Sequence, residues 1–196
     1  MATPDDGAAV AAIYNPVIRD TTTSFETVPV TAGDMADRIA ATVPTWPWLV
    51  ADRDDEVLGY AYAGRHRARP AYAWSVEVSV YLDADTRRQG LGRALYTALL
   101  DLLAAQGYAN AYAGITLPNP ASAALHEAVG FTHLGTFTAV GHKHGRWCDV
   151  GWWQRPLGDD GAAPSPPTPL TELPDGMMEV VLAAGLATIA GRPHPE

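Results

Sequence analysis

An alternating strand that runs through an Arg- and Gly-rich turn into an amphipathic helix constrains this chain more than any other feature. Trp74, Val76, Val78, Val80 and Leu82 alternate with Ser75, Glu77, Ser79 and Tyr81, the period of two of a strand with unlike faces. Beyond the turn, Leu91, Leu95, Ala98, Leu99, Leu102 and Leu103 recur at helical spacing, and Gly107 stands where the helix would stop. Between them lies Arg87-Arg88-Gln89-Gly90-Leu91-Gly92-Arg93. Gly90 and Gly92 let the backbone approach a ligand closely, and the first N–H groups of the new helix have no internal partners. Arg87, Arg88 and Arg93 add charge to the positive end of the helix dipole, so the unit predicts a cradle for an anion.

The spacing excludes two familiar phosphate loops. No Gly-Lys-Ser/Thr is present, and the third glycine of the dinucleotide fingerprint is missing. What remains resembles the pyrophosphate-binding motif of the acetyl-CoA-dependent N-acetyltransferases of the GNAT superfamily. A second alternating run, Ala109 to Ile115, then Leu117-Pro118-Asn119-Pro120, a short helix Ala121 to Val129 and Gly130-Phe131 follow in the order of that superfamily's C-terminal half. More narrowly, the chain resembles the phosphinothricin and methionine sulfoximine/sulfone acetyltransferases. The resemblance is carried by Thr23-Ser24-Phe25-Glu26-Thr27, Ala71-Tyr72-Ala73-Trp74-Ser75-Val76-Glu77, Leu125-His126-Glu127-Ala128-Val129-Gly130-Phe131 and Lys143-His144-Gly145-Arg146-Trp147-Cys148-Asp149. It covers roughly Thr3 to Pro156.

This resemblance implies an α/β (α+β) GNAT fold, a mixed central sheet flanked by helices, and an acetyl-CoA-dependent N-acetyltransferase acting on a small amino-acid analogue. The cofactor-binding residues it implies are Val80, Leu82, Arg87 to Arg93 (Arg87, Arg88, Gln89, Gly90, Leu91, Gly92, Arg93) and Asn119. Glu77 is the candidate general base, because an ammonium must lose a proton before its lone pair can attack. Glutamate is also depleted in strands, and a carboxyl buried beside a cofactor is tuned toward base work. His126 is the candidate proton donor to the departing thiolate, the alternative being a packed histidine that caps its helix. Phe25, Arg67, Arg69 and Tyr72 are the candidate substrate contacts, since arginine grips carboxylates and oxyanions through a planar fork. The resembling enzymes carry a lysine at the Arg67 position, which leaves side-chain specificity open. An acetyltransferase for another small amine and a catalytically idle acyl-CoA-binding module remain alternatives.

Composition narrows the partners. A net charge of -9 argues against nucleic acid or an anionic membrane, while the local arginines suit a small anionic ligand. The single cysteine, Cys148, excludes an internal disulfide and fits a reducing, cytoplasmic setting, and no metal-ligand spacing is present. The acidic N-terminus lacks the features of a signal peptide.

Along the chain, Thr3-Pro4-Asp5-Asp6 opens a helix through about Tyr14, and Thr31 to Thr42 reads as a second. Family members place a strand before the first helix, and here it is largely missing: either the start is truncated or another segment covers that sheet edge. Trp48 to Ala51 and Val57 to Ala63 read as a hairpin, and Thr132 to His142 and Trp147 to Gln154 as two closing strands. The predicted organisation is a catalytic domain over 1–157, a Pro-rich linker over 158–175 and a helical tail over 176–196. The apolar run Val180 to Ala190 is too short to span a membrane and predicts packing on its own domain or on a partner subunit. With the family resemblance, it predicts a homodimer.

Overall fold

A computed structural model describes residues 1–86, 88–158 and 165–190. Arg87 and the linker and tail residues 159–164 and 191–196 lie outside the described residues. A mixed sheet of six strands, in the order β1-β2-β3-β4-β6-β5, forms the centre. Its strands are β1 (Trp48–Arg53), β2 (Glu56–Arg65), β3 (Ser75–Leu82), β4 (Asn110–Leu117), β5 (Thr132–Lys143) and β6 (Arg146–Pro156). The β3–β4 pair is parallel and the other neighbours are antiparallel.

Two helices, α1 (Gly7–Asp20) and α2 (Ala32–Thr42), lie near the start of the chain. The Thr3 backbone N–H donates to the Asp6 carboxylate over 2.7 Å, and this capping contact closes a 3-10 turn at Pro4–Asp6 that leads into α1. The helix runs past its predicted end at Tyr14 to Asp20, with Pro16 inside it. Proline removes one helical hydrogen bond, but the buried stripe of Val10, Ile13, Tyr14 and Ile18 continues across that gap and holds the helix by tertiary packing. Thr31 and Asp34 exchange reciprocal hydrogen bonds of 3.0 Å and fix the start of α2 as predicted. In place of a full first strand, the Ala2 N–H donates to the Trp48 carbonyl over 2.7 Å, one hydrogen bond along the β1 edge. The β1–β2 turn is tighter than expected. Asp54 and Asp55 both take left-handed φ values, 52° and 64°, and close the hairpin in two residues.

The alternation in β3 divides two cores. Val76 and Val78 join a cluster with Leu95, Leu99, Leu102 and Leu103 of α3 (Leu91–Ala105), whose fully buried leucines each contribute about 1.5–3 kcal/mol. The opposite core gathers α1, α2, Trp48 and Tyr60. Gln106 caps α3 and Gly107 takes φ +88°, the predicted stop. A short helix, α4 (Pro120–Ala128), follows β4.

The C-terminal segment folds back onto this body. Gln106 is buried, and its side-chain amide donates to the carbonyls of Thr45 and Thr168 over 2.7 and 2.8 Å, while the Thr168 N–H returns a bond to the Gln106 carbonyl. The Trp74 indole N–H donates to the Ser165 carbonyl over 2.8 Å, and Leu170 is buried. The second half of the Pro-rich segment is therefore pinned, because neighbouring side chains and carbonyls satisfy backbone groups that prolines cannot pair with one another. Helix α5 (Met177–Ala190) then packs along α3, where Gly185 lies so close to Ala94 and Ala98 that a Cβ would stand 2.9 Å from that of Ala98.

Candidate active site

β3 and β4 are paired only from Ser75 to Glu77 against Asn110 to Tyr112. Beyond that point they diverge, and the gap forms a cleft lined by Val78, Ser79, Val80, Gly114, Thr116 and Asn119, among others. Backbone groups on facing edges lack strand partners there, so an extended ligand with amide groups can take their place. At the far end of β3 the turn is anchored by the Thr86 hydroxyl, which donates to the Leu58 carbonyl over 3.0 Å, and by the Asp83 N–H, which also donates to Leu58.

From that turn α3 begins at Gly90, which takes φ +89° and carries no capping side chain. The first-turn N–H groups are consequently open to an anion. Arg88, also left-handed at φ 68°, and Arg93 are exposed beside them. Arg87 lies outside the described residues. Three other residues of the motif make contacts within the fold. Leu91 is buried in the core, and Gln89 is drawn sideways to Arg53 and to the Asp85 carbonyl over 3.5 and 3.4 Å. Gly92 is small for packing: a Cβ there would stand 3.0 Å from Leu125 Cδ2 and 3.4 Å from Leu82 Cδ1. Packing is thus a second reason for a glycine here, beside the expected close approach to a ligand. Leu82 likewise packs between Gly59 and Gly92, whereas Val80 lines the cleft.

Glu77 occupies the last paired position of β3, where the strands part. Its side chain is 41% exposed, where a buried carboxyl was expected. The carboxylate Oε1 instead lies 2.9 Å from Nδ1 of His66, a residue that sequence reasoning passed over because it stands in an irregular loop. The His66 ring stacks on Tyr112 at 4.4 Å and meets Tyr72 edge-on at 5.8 Å. Arg67, Arg69 and Tyr72 line, with Arg65, Ser75, Trp46 and Tyr108, a cavity of about 340 Å³. Along β3, Ser75 belongs to this arginine-lined cavity and Val78 to the cleft, and Glu77 stands between them.

His126 lines the cleft from α4 but is only 4% exposed. Its Nδ1–H donates to the Ser122 carbonyl over 2.7 Å, and Nε2 accepts from the Tyr96 hydroxyl over 2.8 Å. Burial lowers the His126 pKa and keeps the ring neutral, while burial raises that of Tyr96. Both nitrogens are engaged within the protein, which fits the packed-histidine alternative. Asn119 caps α4 by accepting the Ser122 N–H over 3.1 Å, and it also borders the cleft.

Phe25, on the loop between α1 and α2, is not among the residues that line the arginine cavity. Its ring covers Gly141 of β5 so closely that no Cβ fits beneath it. The loop is held by Lys143, the sole lysine of the chain, which is 5% exposed and donates its ammonium to the Ser24 carbonyl over 2.6 Å. Burial depresses the Lys143 pKa. Arg38 makes a two-pronged contact with Glu26 at 2.7 and 3.1 Å and holds its carboxyl below the usual range. The Tyr14 hydroxyl reaches both Ser24 and Glu26, and burial pushes its pKa up to about 12. A lone lysine at the end of an alternating run was the one available signal for this cluster. No group of potential metal ligands occurs among the described residues, and no described helix is long and apolar enough to cross a membrane.

The mixed sheet thus splays beside a helix whose first turn is uncapped. Residues 1–152 match the family described as an acetyltransferase (GNAT) domain, and the chain belongs to that family of acetyltransferases. It is 46% identical over 169 residues to the phosphinothricin N-acetyltransferase of Streptomyces viridochromogenes, covering 86% of this chain and 90% of that protein. It is 38% identical over 164 residues to the L-methionine sulfoximine/L-methionine sulfone acetyltransferase of Pseudomonas paraeruginosa, covering 81% and 94%. A phosphinothricin acetyltransferase from Sinorhizobium meliloti, solved in complex with acetyl-CoA, superposes with a TM-score of 0.80 at 36% identity, covering 84% of this chain and 90% of that one.

Proposed function

We propose that this chain transfers the acetyl group of acetyl-CoA to the α-amino group of a small amino-acid analogue of the phosphinothricin, methionine sulfoximine or methionine sulfone type. The observation that carries the reading is the place of Glu77, between the strand splay and the arginine-lined cavity. The cleft suits acetyl-CoA: unpaired strand edges face its amide-bearing arm, and the uncapped first turn of α3 with Arg88 and Arg93 faces its pyrophosphate. Arg67 and Arg69 supply planar forks for the carboxylate and second oxyanion of the acceptor.

When bound, acetyl-CoA supplies an acetyl thioester whose C–S bond breaks as the new C–N bond forms. Glu77 accepts one proton from the acceptor's ammonium, directly or through water, and frees the nitrogen lone pair. Of the two protons the ammonium loses, one balances the departing sulfur and one goes to solvent. His126 orients the cleft wall by holding Tyr96 and Ser122. Glu77→Gln keeps the side-chain shape and removes the base, so turnover should fall by about 10²-fold or more while calorimetric acetyl-CoA affinity stays constant. Full activity of that variant would refute the role.

A cytoplasmic setting accords with the single, buried and free Cys148. A homodimer accords with the apolar residues Leu134, Phe137, Val140 and Trp147, all exposed on the β5–β6 edge of the sheet. Sedimentation should give twice the chain mass, and a monomer at working concentrations would overturn the dimer.

A further inference from the structure

We infer that His66 is a positioning residue for Glu77, holding carboxylate oxygen Oε1 so that Oε2 is the oxygen that meets the acceptor's ammonium. The inference rests on Glu77 being the base. A half-exposed glutamate has several rotamers open to it, and only a fixed one presents the same oxygen in every encounter. The restraint is the 2.9 Å contact with His66 Nδ1, and because a carboxylate can only accept, Nδ1 is the donor. No described residue makes a hydrogen bond to Oε2.

His66 is itself fixed by its surroundings. Glu77 and Tyr112 are register partners across β3 and β4, and His66 stacks on the second while it bonds the first. The stack is nearly parallel, at 16°, and the edges of Tyr72 and Trp152 close two further sides. The ring's side chain is 11% exposed against 41% for its partner, so the less mobile group orients the more mobile one. The titratable groups that face the ring are Glu77, Tyr72 and Tyr112. Tyr72 also lines the arginine cavity, so His66 couples the wall that receives the acceptor to the carboxylate that takes its proton. The proton passes from the ammonium nitrogen to Oε2, and the His66 Nδ1–H bond to Oε1 is retained throughout.

The test is a cycle of variants read by steady-state kinetics. His66→Phe preserves the stack on Tyr112 and removes the donor, and kcat should fall by about 10-fold or more with acetyl-CoA affinity unchanged. His66→Asn places an amide N–H where Nδ1 stood and should restore most of kcat. In a Glu77→Gln background the His66→Phe change should cost little further, because its effect runs through the carboxylate. His66→Gln, whose amide falls beyond Oε1, gives the same contrast should the phenylalanine variant fail to fold. The positioning role is overturned if His66→Phe keeps full kcat, if His66→Asn restores nothing, or if the loss is as large without the Glu77 carboxylate. Full activity of Glu77→Gln alone would instead overturn the base, so the two failures are separable.

Discussion

Gly92 offers a direct test of whether packing or ligand approach keeps a glycine in the α3 turn. A Cβ at this position would stand 3.0 Å from Leu125 Cδ2 and 3.4 Å from Leu82 Cδ1. Alanine requires the tip of Leu125 to move by a few tenths of an ångström, while replacing a helical glycine gains up to about 1 kcal/mol. The two effects nearly cancel, so Gly92→Ala should be close to neutral in stability and should bind acetyl-CoA with nearly unchanged affinity. Gly92→Leu forces further carbons into the α3–α4 contact and should cost about 1–3 kcal/mol. For a chain of this size a mid-range loss of about 2 kcal/mol lowers Tm by about 4–8 °C. Thermal melts and urea titrations of Gly92→Leu, Leu125→Ala and the double variant give the coupling. If the overlap with Leu125 is the cause, the double variant should be more stable than the sum of the single losses by about 1 kcal/mol. Additivity within about 0.5 kcal/mol, together with a tenfold weaker acetyl-CoA affinity for Gly92→Ala, would refute the packing argument. The glycine would then be kept for the ligand.

Gly141→Ala should drive the Phe25 ring off β5 and raise the acceptor KM while acetyl-CoA affinity holds; an unchanged acceptor KM would remove Phe25 from the acceptor site. His126 should make stability pH-dependent. Burial lowers its pKa from 6.5, so below that value the unfolded chain binds a proton that the folded chain refuses, and stability falls as pH drops. This group contributes a slope of at most about 1.4 kcal/mol per pH unit. Urea midpoints at about pH 7.5 and 5.5 should therefore separate less in His126→Asn than in the wild type, and equal separations would show that the ring is not held neutral.

Much of the scaffold was legible in the chain itself, because periodicity and capping are local. The strand from Ser75 to Leu82, the helix over Ala32–Thr42 and the stop at Gly107 depend on residues within a few positions of one another, and each falls where expected. The uncapped helix start at Gly90 is local in the same way. Positions where local signals compete went differently. Pro16 reads as a helix end, but a buried stripe on both sides carries α1 onward to Asp20. The prolines after 164 read as a linker, yet Gln106 and Trp74, distant in sequence, pin that segment in place.

The sequence by itself determined which groups are available: a carboxylate on a strand, a glycine- and arginine-rich helix start and a cluster of arginines before β3. Tertiary structure decided how those groups are used, because each answer depends on a partner far along the chain. The register of β2, β3 and β4 brings His66 from a loop onto Glu77 and stacks it on Tyr112. Thirty positions separate His126 from Tyr96, and their contact fixes the orientation of the ring. Lys143 reaches across 119 positions to Ser24 and holds the loop that carries Phe25. No periodicity encodes such meetings, since helical and strand repeats specify which face a side chain takes and leave its distant neighbour to the packing of whole elements.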